Sequence, residues 1–466
     1  MVFGLAERGT ATGPALLEPA SGTSLSHAEL HRRVTGQAGR LRDLAKGKSL
    51  VMLAFASDTD SVVTYLAALE AGLAVMPLPP QLDHQRLAEL IALYRPEIIA
   101  GFPAPEADYE SAGPALRRRG QGRDTSIHPD LALLLSTSGS TGSPKTVRLT
   151  LAAVEANARQ IIQALEIGPA ERAPTTLPLS YSYGLSVLNS HLMAGAAVIL
   201  TQEGLTSRQL WQSLTDYGAT SFAGVPASYQ LLCRLDLETL APPSLTTLTQ
   251  AGGALAPALL NRLRDFVGRR GGRLFVMYGQ TEATARMAVL PPEDLPHSPG
   301  AAGRALPHGR IEVVDDDGAP LPATAIGHIR YHGPNVMMGY GESRADVALG
   351  DLLGGSLDTG DLGTLDAGGV LWITGRHKRM AKINGLRINL DEVETLAAGF
   401  GPVAVTAGDE TVQVALVGAD LPEPEQRRDF ARRLGLHSSQ LRWRLLGHLP
   451  LTDHGKVDYA ALAEGP

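Results

Sequence analysis

The sequence predicts an α/β protein of layered, largely parallel sheets, followed by a smaller α+β module. Three observations carry this. Short apolar runs alternate with segments of helical period up to about residue 300. Beyond that the texture changes to short strands separated by Gly, Pro and Asp turns. A junction at Gly375–Lys378 then precedes about 90 residues with strand and helix signals of their own.

From Ser26 onward, "HAELHRRVTGQAGRLRDL" repeats apolar residues at helical spacing, and "SLVMLAF" (49–55) reads as a buried strand. "SVVTYLAALEAG" is a helix ending near Gly72, with a second strand and a proline stop behind it. Further strands are expected at "AAVIL" (196–200), "TSFAGV" (220–225) and "RLFVMYG" (273–279). His27 and His31 are one helical turn apart without the acidic neighbour of an HExxH metal motif, so they read as a solvated helix face. The stretch "GRIEVVDDDGAPLPATAIGHIRYHG" reads as an antiparallel hairpin region turning at DDDG. In the last module Asn389 is placed to cap a helix, with Glu392 in capping-box position and Gly399 near the end. Domains are therefore expected at 1–376 and 377–466.

Composition narrows the function classes. With 44% hydrophobic and 19% charged residues the chain can bury large cores. A net charge of -7 and a pI near 6.0 argue against nucleic acid and anionic membrane as partners, because both require a basic surface. Cys233 is the only cysteine, which excludes an intrachain disulfide and cysteine-rich metal sites. No window approaches the 18 or so apolar residues of a membrane span, and the first residues lack a signal-length apolar core. A cytoplasmic enzyme of small-molecule chemistry, monomeric or homodimeric, is expected.

The segment "STSGSTGSPK" (136–145) suggests which chemistry. Small residues let backbone N–H groups converge on an anion, and the hydroxyls of Thr137, Ser138, Ser140 and Thr141 add donors. Gly139 and Gly142 keep the loop thin, and Lys145 supplies a cation, so a polyphosphate is the natural guest. The nucleotide loop GxxxxGK[ST] nearly fits, but Pro144 replaces its second glycine and removes an N–H. An ordinary phosphate-hydrolysing P-loop enzyme is disfavoured accordingly.

"STSGSTGSPK" resembles the phosphate loop of the adenylate-forming superfamily of acyl-CoA synthetases, peptide-synthetase adenylation domains and luciferases. Further matching motifs follow in the same order: "VMYGQTEA" (276–283), "DTGDLG" (358–363), "GRHKRMAKINGLRINLDEVE" (375–394) and "PLTDHGKVD" (450–458). The resemblance spans nearly the whole chain. It implies a large domain carrying a β-barrel-like subdomain and a small, mobile C-terminal domain. It also implies ATP and Mg²⁺ as cofactors, and a reaction joining a carboxylate to the α-phosphate with loss of pyrophosphate.

By the resemblance, Lys456 is the catalytic cation that reaches the α-phosphate and the acid together. Asp361 accepts both ribose hydroxyls, with Arg376 beside it. Tyr278 offers a face to adenine, Gly279 follows it, and Gly252, Gly253 and Ala254 form a thin wall for the base. Thr281 and Glu282 fall near the phosphates, where Glu282 positions Mg²⁺. Lys378 takes the hinge position. Rotation there replaces the Lys456 face by the loop at Gly385, which serves attack by a thiol.

The acid pocket is expected along "LPLSYSYGLSVLNSHL" (177–192), lined by Tyr181, Ser182, Tyr183 and Gly253, with core packing an equal reading for Tyr183. Amino-acid-activating members place an aspartate where this chain has Ser182, and a buried ammonium without a carboxylate is costly. A neutral aryl or aliphatic acid is thus expected rather than an α-amino acid. Tyr181 stands where many ligases have histidine. The acceptor is either CoA or the phosphopantetheine of a carrier protein, with no carrier domain in this sequence. Amide formation, nitrite activation in a diazotase, and a non-catalytic nucleotide-binding protein of the same fold are the alternatives.

Overall fold

The computed structural model describes the chain except residues 1, 46, 104–107, 113–114, 119–125, 137–144, 377–378, 384–385, 409–410, 419, 435, 453–456 and 465–466. At 115–118, 380, 382, 386–387, 389, 392 and 464 it describes the backbone alone. The described residues up to 310, with 331–357, pack as one compact unit, and those of 311–330 and 358–466 as a second.

In the first unit the largest sheet among the described residues has eight strands. Their order is Gly339–Gly341, Thr146–Thr150, Leu131–Ser136, Ala74–Leu78, Leu50–Ala54, Ile98–Ala100, Ala115–Arg118 and Tyr109–Ala112. Leu50–Ala54 runs parallel to both its neighbours and is buried at every position. Such a strand is covered on both faces, which is why "SLVMLAF" lacks alternation. The helix Thr59–Glu70 begins where Asp58 accepts a hydrogen bond from Ser61 N at 2.8 Å.

A second sheet runs Ser221–Gly224, Thr247–Gln250 and Arg273–Tyr278 in parallel, then Ala288–Leu290 and Arg304–Ala305 antiparallel. A third joins Arg172–Pro174, Ala197–Ile199, Pro14–Glu18 and Thr23–Ser26. The helix Ser182–Ala194 is buried from Ser182 through Met193. It therefore buries polar side chains along with apolar ones, Ser182, Ser186, Asn189, Ser190 and His191 among them. The helix expected after Ser26 is present as His27–Ala45, but His27 is buried, its ring nitrogen Nε2 3.0 Å from Gly195 O. It serves packing rather than a solvated face.

In the second unit the DDDG turn forms as expected: Asp315 Oδ1 accepts from Asp317 N and Ala319 N at 3.0 and 2.8 Å. The barrel-like subdomain is not a closed barrel among the described residues. Arg310–Val314, Gly327–His332, Ser356–Leu365 and Leu371–Arg376 form an open four-stranded sheet. Four strands fall well short of the eight or so that close around a packed interior.

The C-terminal part is α+β. Val403–Gly408 pairs antiparallel with Thr411–Val417, which is parallel to Leu441–Leu446, and helices Leu390–Ala397 and Pro424–Arg433 accompany them. Phe400, Phe430 and Trp443 meet edge to face with centroids 5.4, 5.6 and 5.8 Å apart, a tight aromatic core for so small a module. The side chains of Asn389 and Glu392 lie outside the described ones. Packing groups 358–376 with the chain that follows; a body that moves from Lys378 onward is a kinetic division and belongs to the proposal below.

Candidate active site

Thr137, Ser138, Gly139, Ser140, Thr141 and Gly142 lie outside the described residues, as do Lys378, Gly385 and Lys456. The strands on either side of residues 137–144, the expected phosphate loop, are described. Leu131–Ser136 and Thr146–Thr150 pair antiparallel with Ser136 opposite Thr146, so the two ends of the loop are held side by side in a sheet. Thr146 Oγ1 donates to Gly341 O at 3.0 Å, tying the loop's exit to the next strand.

Lys145 therefore leaves the loop over the strand Gly339–Gly341. Its ammonium sits 3.9 Å from the centroid of the Tyr340 ring and 3.7 Å from Glu342 Oε1. Tyr340 in turn donates from its hydroxyl to Glu282 Oε1 at 2.8 Å. Burial and the Glu282 carboxylate both push the Tyr340 phenol upward, so it stays protonated and acts as donor. Lys145 and Glu282, far apart in sequence, thus meet at one ring.

Glu282 is carried by a tightly folded loop. Tyr278 ends a strand, and a Cβ added to Gly279 would fall 1.9 Å from Ala285 O, so the chain folds back where only glycine fits. Thr281–Ala283 form a single 3₁₀ turn, and Thr284 and Ala285 follow at φ 65° and 151°. Two consecutive non-glycine residues there store strain that neighbours must hold. Asn335, fully buried, holds it: Nδ2 donates to Ala283 O at 2.8 Å and Arg286 O at 3.1 Å, while Oδ1 accepts from Tyr331 at 2.7 Å. Thr284 Oγ1 donates to Asn335 O at 2.6 Å.

The expected pocket residues come together beside this loop. Ser182 Oγ and Thr281 Oγ1 are 3.1 Å apart. The rings of Tyr181 and Tyr183 meet edge to face with centroids 6.4 Å apart. Gly252, at φ +86°, lies so close to Tyr181 that a Cβ would be 3.3 Å from its hydroxyl. Gln250 Nε2 fixes the same turn by donating to Gly253 O, and Ala254 next to it is exposed. Tyr183 donates to Thr249 O at 2.9 Å, and burial pushes its phenol up to about 12.

In the second unit Asp361 and Arg376 are register partners of antiparallel strands. Asp361 is buried, and its Oδ1 accepts from Arg376 Nε at 3.2 Å while its own N–H bonds Thr359 Oγ1 at 3.1 Å. Arg376 N donates to Asp391 Oδ2 at 2.9 Å. Asp391 also takes the guanidinium of Arg379, which reaches Glu394 at 2.8 Å. Glu394 accepts from Tyr459 at 2.7 Å, and Arg379 lies 3.9 Å over the Tyr459 ring. The bridge Leu451↔Val457 and the bond from Asp458 N to Pro450 O at 2.9 Å bracket residues 452–456.

The model of the family described as AMP-binding enzyme matches residues 6–341. The chain belongs to the AMP-binding enzyme family. It is 29% identical over 473 residues to indoleacetate–CoA ligase from Aromatoleum aromaticum, covering 93% of this chain and 91% of that one. It is 27% identical over 487 residues to oxalate–CoA ligase from Arabidopsis thaliana, covering 95% and 93%. Its fold is similar to that of ATP-bound MatB from Rhodopseudomonas palustris, with a TM-score of 0.79, 23% identity and coverage of 100% and 99%. As an AMP-binding enzyme it is an AMP-forming ligase of the acyl-CoA synthetase kind.

Three residues of this AMP-binding enzyme escaped sequence reasoning. Tyr340 and Asn335 sit in the loop-rich stretch "GPNVMMGYGES", where sequence alone gives no partner. Arg286, in "ATARMAVL", is a charge inside an apolar run. That mismatch with the strand pattern was the available signal. Among the described residues no helix is long and apolar enough to cross a membrane.

Proposed function

We propose that this enzyme activates a small carboxylic acid with ATP, releasing pyrophosphate and forming an acyl-adenylate, and then passes the acyl group to the thiol of CoA or of a carrier-borne phosphopantetheine. The observation that carries the reading is the convergence of Lys145 and Glu282 on Tyr340. A cation at the exit of the serine-rich loop and a carboxylate on the Tyr278–Glu282 loop are the two charges a Mg²⁺–polyphosphate requires, one for phosphate oxygens and one for the metal.

The roles follow the chemistry of each group. Residues 137–142 and Lys145 bind the phosphates, and Thr281 adds a hydroxyl donor. Glu282, a hard oxygen donor, would hold Mg²⁺, which would supply charge neutralisation on the phosphates. Tyr278 takes the adenine face, with Gly252, Gly253 and Ala254 along the base, and Asp361 takes the ribose hydroxyls beside Arg376. Tyr181, Ser182 and Tyr183 line the acid pocket. Lys456 is the late cation that stabilises charge accumulating between carboxylate and α-phosphate. Residues 377–466 turn about Lys378 to bring Gly385 forward for thiol attack.

The relatives named above act on acids as different as indoleacetate and oxalate, so likeness leaves the acid open. Ser182 disfavours an α-ammonium in this pocket, as does the cationic Arg286 beside Tyr183. The deciding experiment is acid-dependent exchange of pyrophosphate into ATP over a panel of carboxylic acids, with and without CoA. Lys456→Ala should largely abolish exchange, and the nucleotide product should be AMP. Exchange at the wild-type rate in that variant removes the lysine's role, and ADP as product removes the reading.

A further inference from the structure

Among the described residues the two other buried arginines have their partners. Arg148, fully buried, donates to the carbonyls of Tyr340, Met338, Gly350 and Leu349. Arg344 forms a two-pronged pair with Glu97 at 2.6 and 3.2 Å. Arg286, with 2% of its surface exposed, has neither kind of partner: Nε and Nη1 are buried without a hydrogen bond.

The surroundings of Arg286 do not neutralise it. Its guanidinium lies 4.9 Å over the Tyr183 ring, and Tyr183 is the titratable neighbour that favours its charge. Burial pulls its pKa down to about 10, which leaves it cationic at neutral pH. His191, two turns along the same face of the helix as Tyr183, is held neutral, its pKa lowered to about 4 by burial and further by Arg286. A buried cation without a counter-ion is among the costliest groups a fold can hold. A stacked tyrosine offsets only a small part of that cost.

Tyr183 is an expected wall of the acid pocket, and through it Arg286 abuts the cluster of Tyr181, Gly252, Ser182 and Thr281. We propose that Arg286 is a specificity-determining residue whose guanidinium receives a second anionic group of the acid, so that the substrate is a dicarboxylate or a carboxylate bearing another oxyanion. This rests on the ligase reading above and sharpens it. One carboxylate reacts at the phosphate, and the other is received by the guanidinium, whose Nε–H and Nη1–H the protein leaves unmatched. An acid lacking that group leaves the guanidinium buried and unpaired, which is how a polar site rejects an analogue strongly.

The test compares matched pairs on the full chain: succinate with butyrate, glutarate with pentanoate, and terephthalate with 4-methylbenzoate. Acid-dependent pyrophosphate release gives kcat/KM for each. The wild-type enzyme should favour the diacid of at least one pair by about 100-fold or more. Arg286→Met should lower that diacid-to-monoacid ratio by about 100-fold, while Arg286→Lys, which keeps the charge, should lower it less. A wild-type preference for the monoacid in every pair overturns the proposal. So does a ratio unchanged in Arg286→Met, which is the outcome if the arginine only packs on Tyr183 or serves the reacting carboxylate. Should Arg286→Met fail to fold, the Lys variant decides: a wild-type ratio at reduced activity overturns the subsite. Pyrophosphate release with no acid at all overturns the ligase reading, and the subsite with it.

Discussion

The hydroxyl of Tyr340 donates to Glu282 Oε1 at 2.8 Å while the ammonium of Lys145 rests 3.9 Å from the centroid of the same ring. One side chain thereby orients both the carboxylate expected to hold Mg²⁺ and the cation at the loop's exit. Removing the hydroxyl leaves the ring under Lys145 but frees Glu282 to rotate. A hydrogen bond to a charged group is worth about 1.5–3 kcal/mol. Tyr340→Phe should therefore raise the Mg²⁺ concentration for half-maximal pyrophosphate release roughly 10-fold or more, with a smaller effect on KM for the acid. An unchanged Mg²⁺ requirement would show that Tyr340 does not orient Glu282.

Asn335 restrains the strained turn at Thr284 and Ala285 through Ala283 O, Arg286 O and the Tyr331 hydroxyl. Asn335→Ala leaves these three groups without that partner in a buried setting and opens a space for Thr281 and Glu282 to shift. The expected loss is about 3 kcal/mol of stability, read by urea unfolding, together with a fall in kcat for pyrophosphate release. Loss of stability without loss of activity would mean that the turn's shape does not matter to Glu282.

These two residues mark where the sequence stops being legible. Leu50–Ala54, Thr59–Glu70 and Arg273–Tyr278 follow from apolar period and capping chemistry, which are local properties. The pairing of Asp361 with Arg376, and of Ser182 with Thr281, joins residues that motifs had already singled out. Tyr340 and Asn335 act across 58 and 49 to 52 positions in the chain, and no local rule reports such distances. That the barrel-like subdomain is an open sheet among the described residues was illegible for a related reason: strand propensity gives strands, but closure depends on how many pair and at what stagger.

His191 gives a pH dependence of stability with a definite sign. Burial lowers its pKa from 6.5 to about 4, and its Nδ1 lies 2.9 Å from Val187 O. The folded value is below the unfolded one, so the unfolded chain takes up the proton first as pH falls. This contribution is fully present above pH 6.5, declines between 6.5 and 4, and amounts to about 3 kcal/mol at most. A His191→Gln variant should show a shallower decline across that window than the wild type. Parallel profiles of the two in urea unfolding from pH 7 to 4 would remove histidine titration as the cause.

Glu394 is the node of the second unit: it accepts from Tyr459 at 2.7 Å, from Arg379 at 2.8 Å and from Val405 N at 2.8 Å. Tyr459 stands three residues beyond Lys456, and Arg379 one beyond Lys378, the proposed hinge. The pair therefore links the two segments that must move together if one lysine is to be delivered and withdrawn. Burial and Glu394 both push the Tyr459 phenol upward, so it remains a donor through neutral pH. Tyr459→Phe removes the bond but keeps the ring beneath Arg379, which confines the change to positioning. The expected result is a fall of about 10-fold in kcat for adenylation, with KM for ATP changed far less, because nucleotide contacts are left in place. Glu394→Gln, which can still accept from Tyr459, should fall less than Glu394→Ala. If KM for ATP rose while kcat held, the network would serve nucleotide binding and not delivery of Lys456.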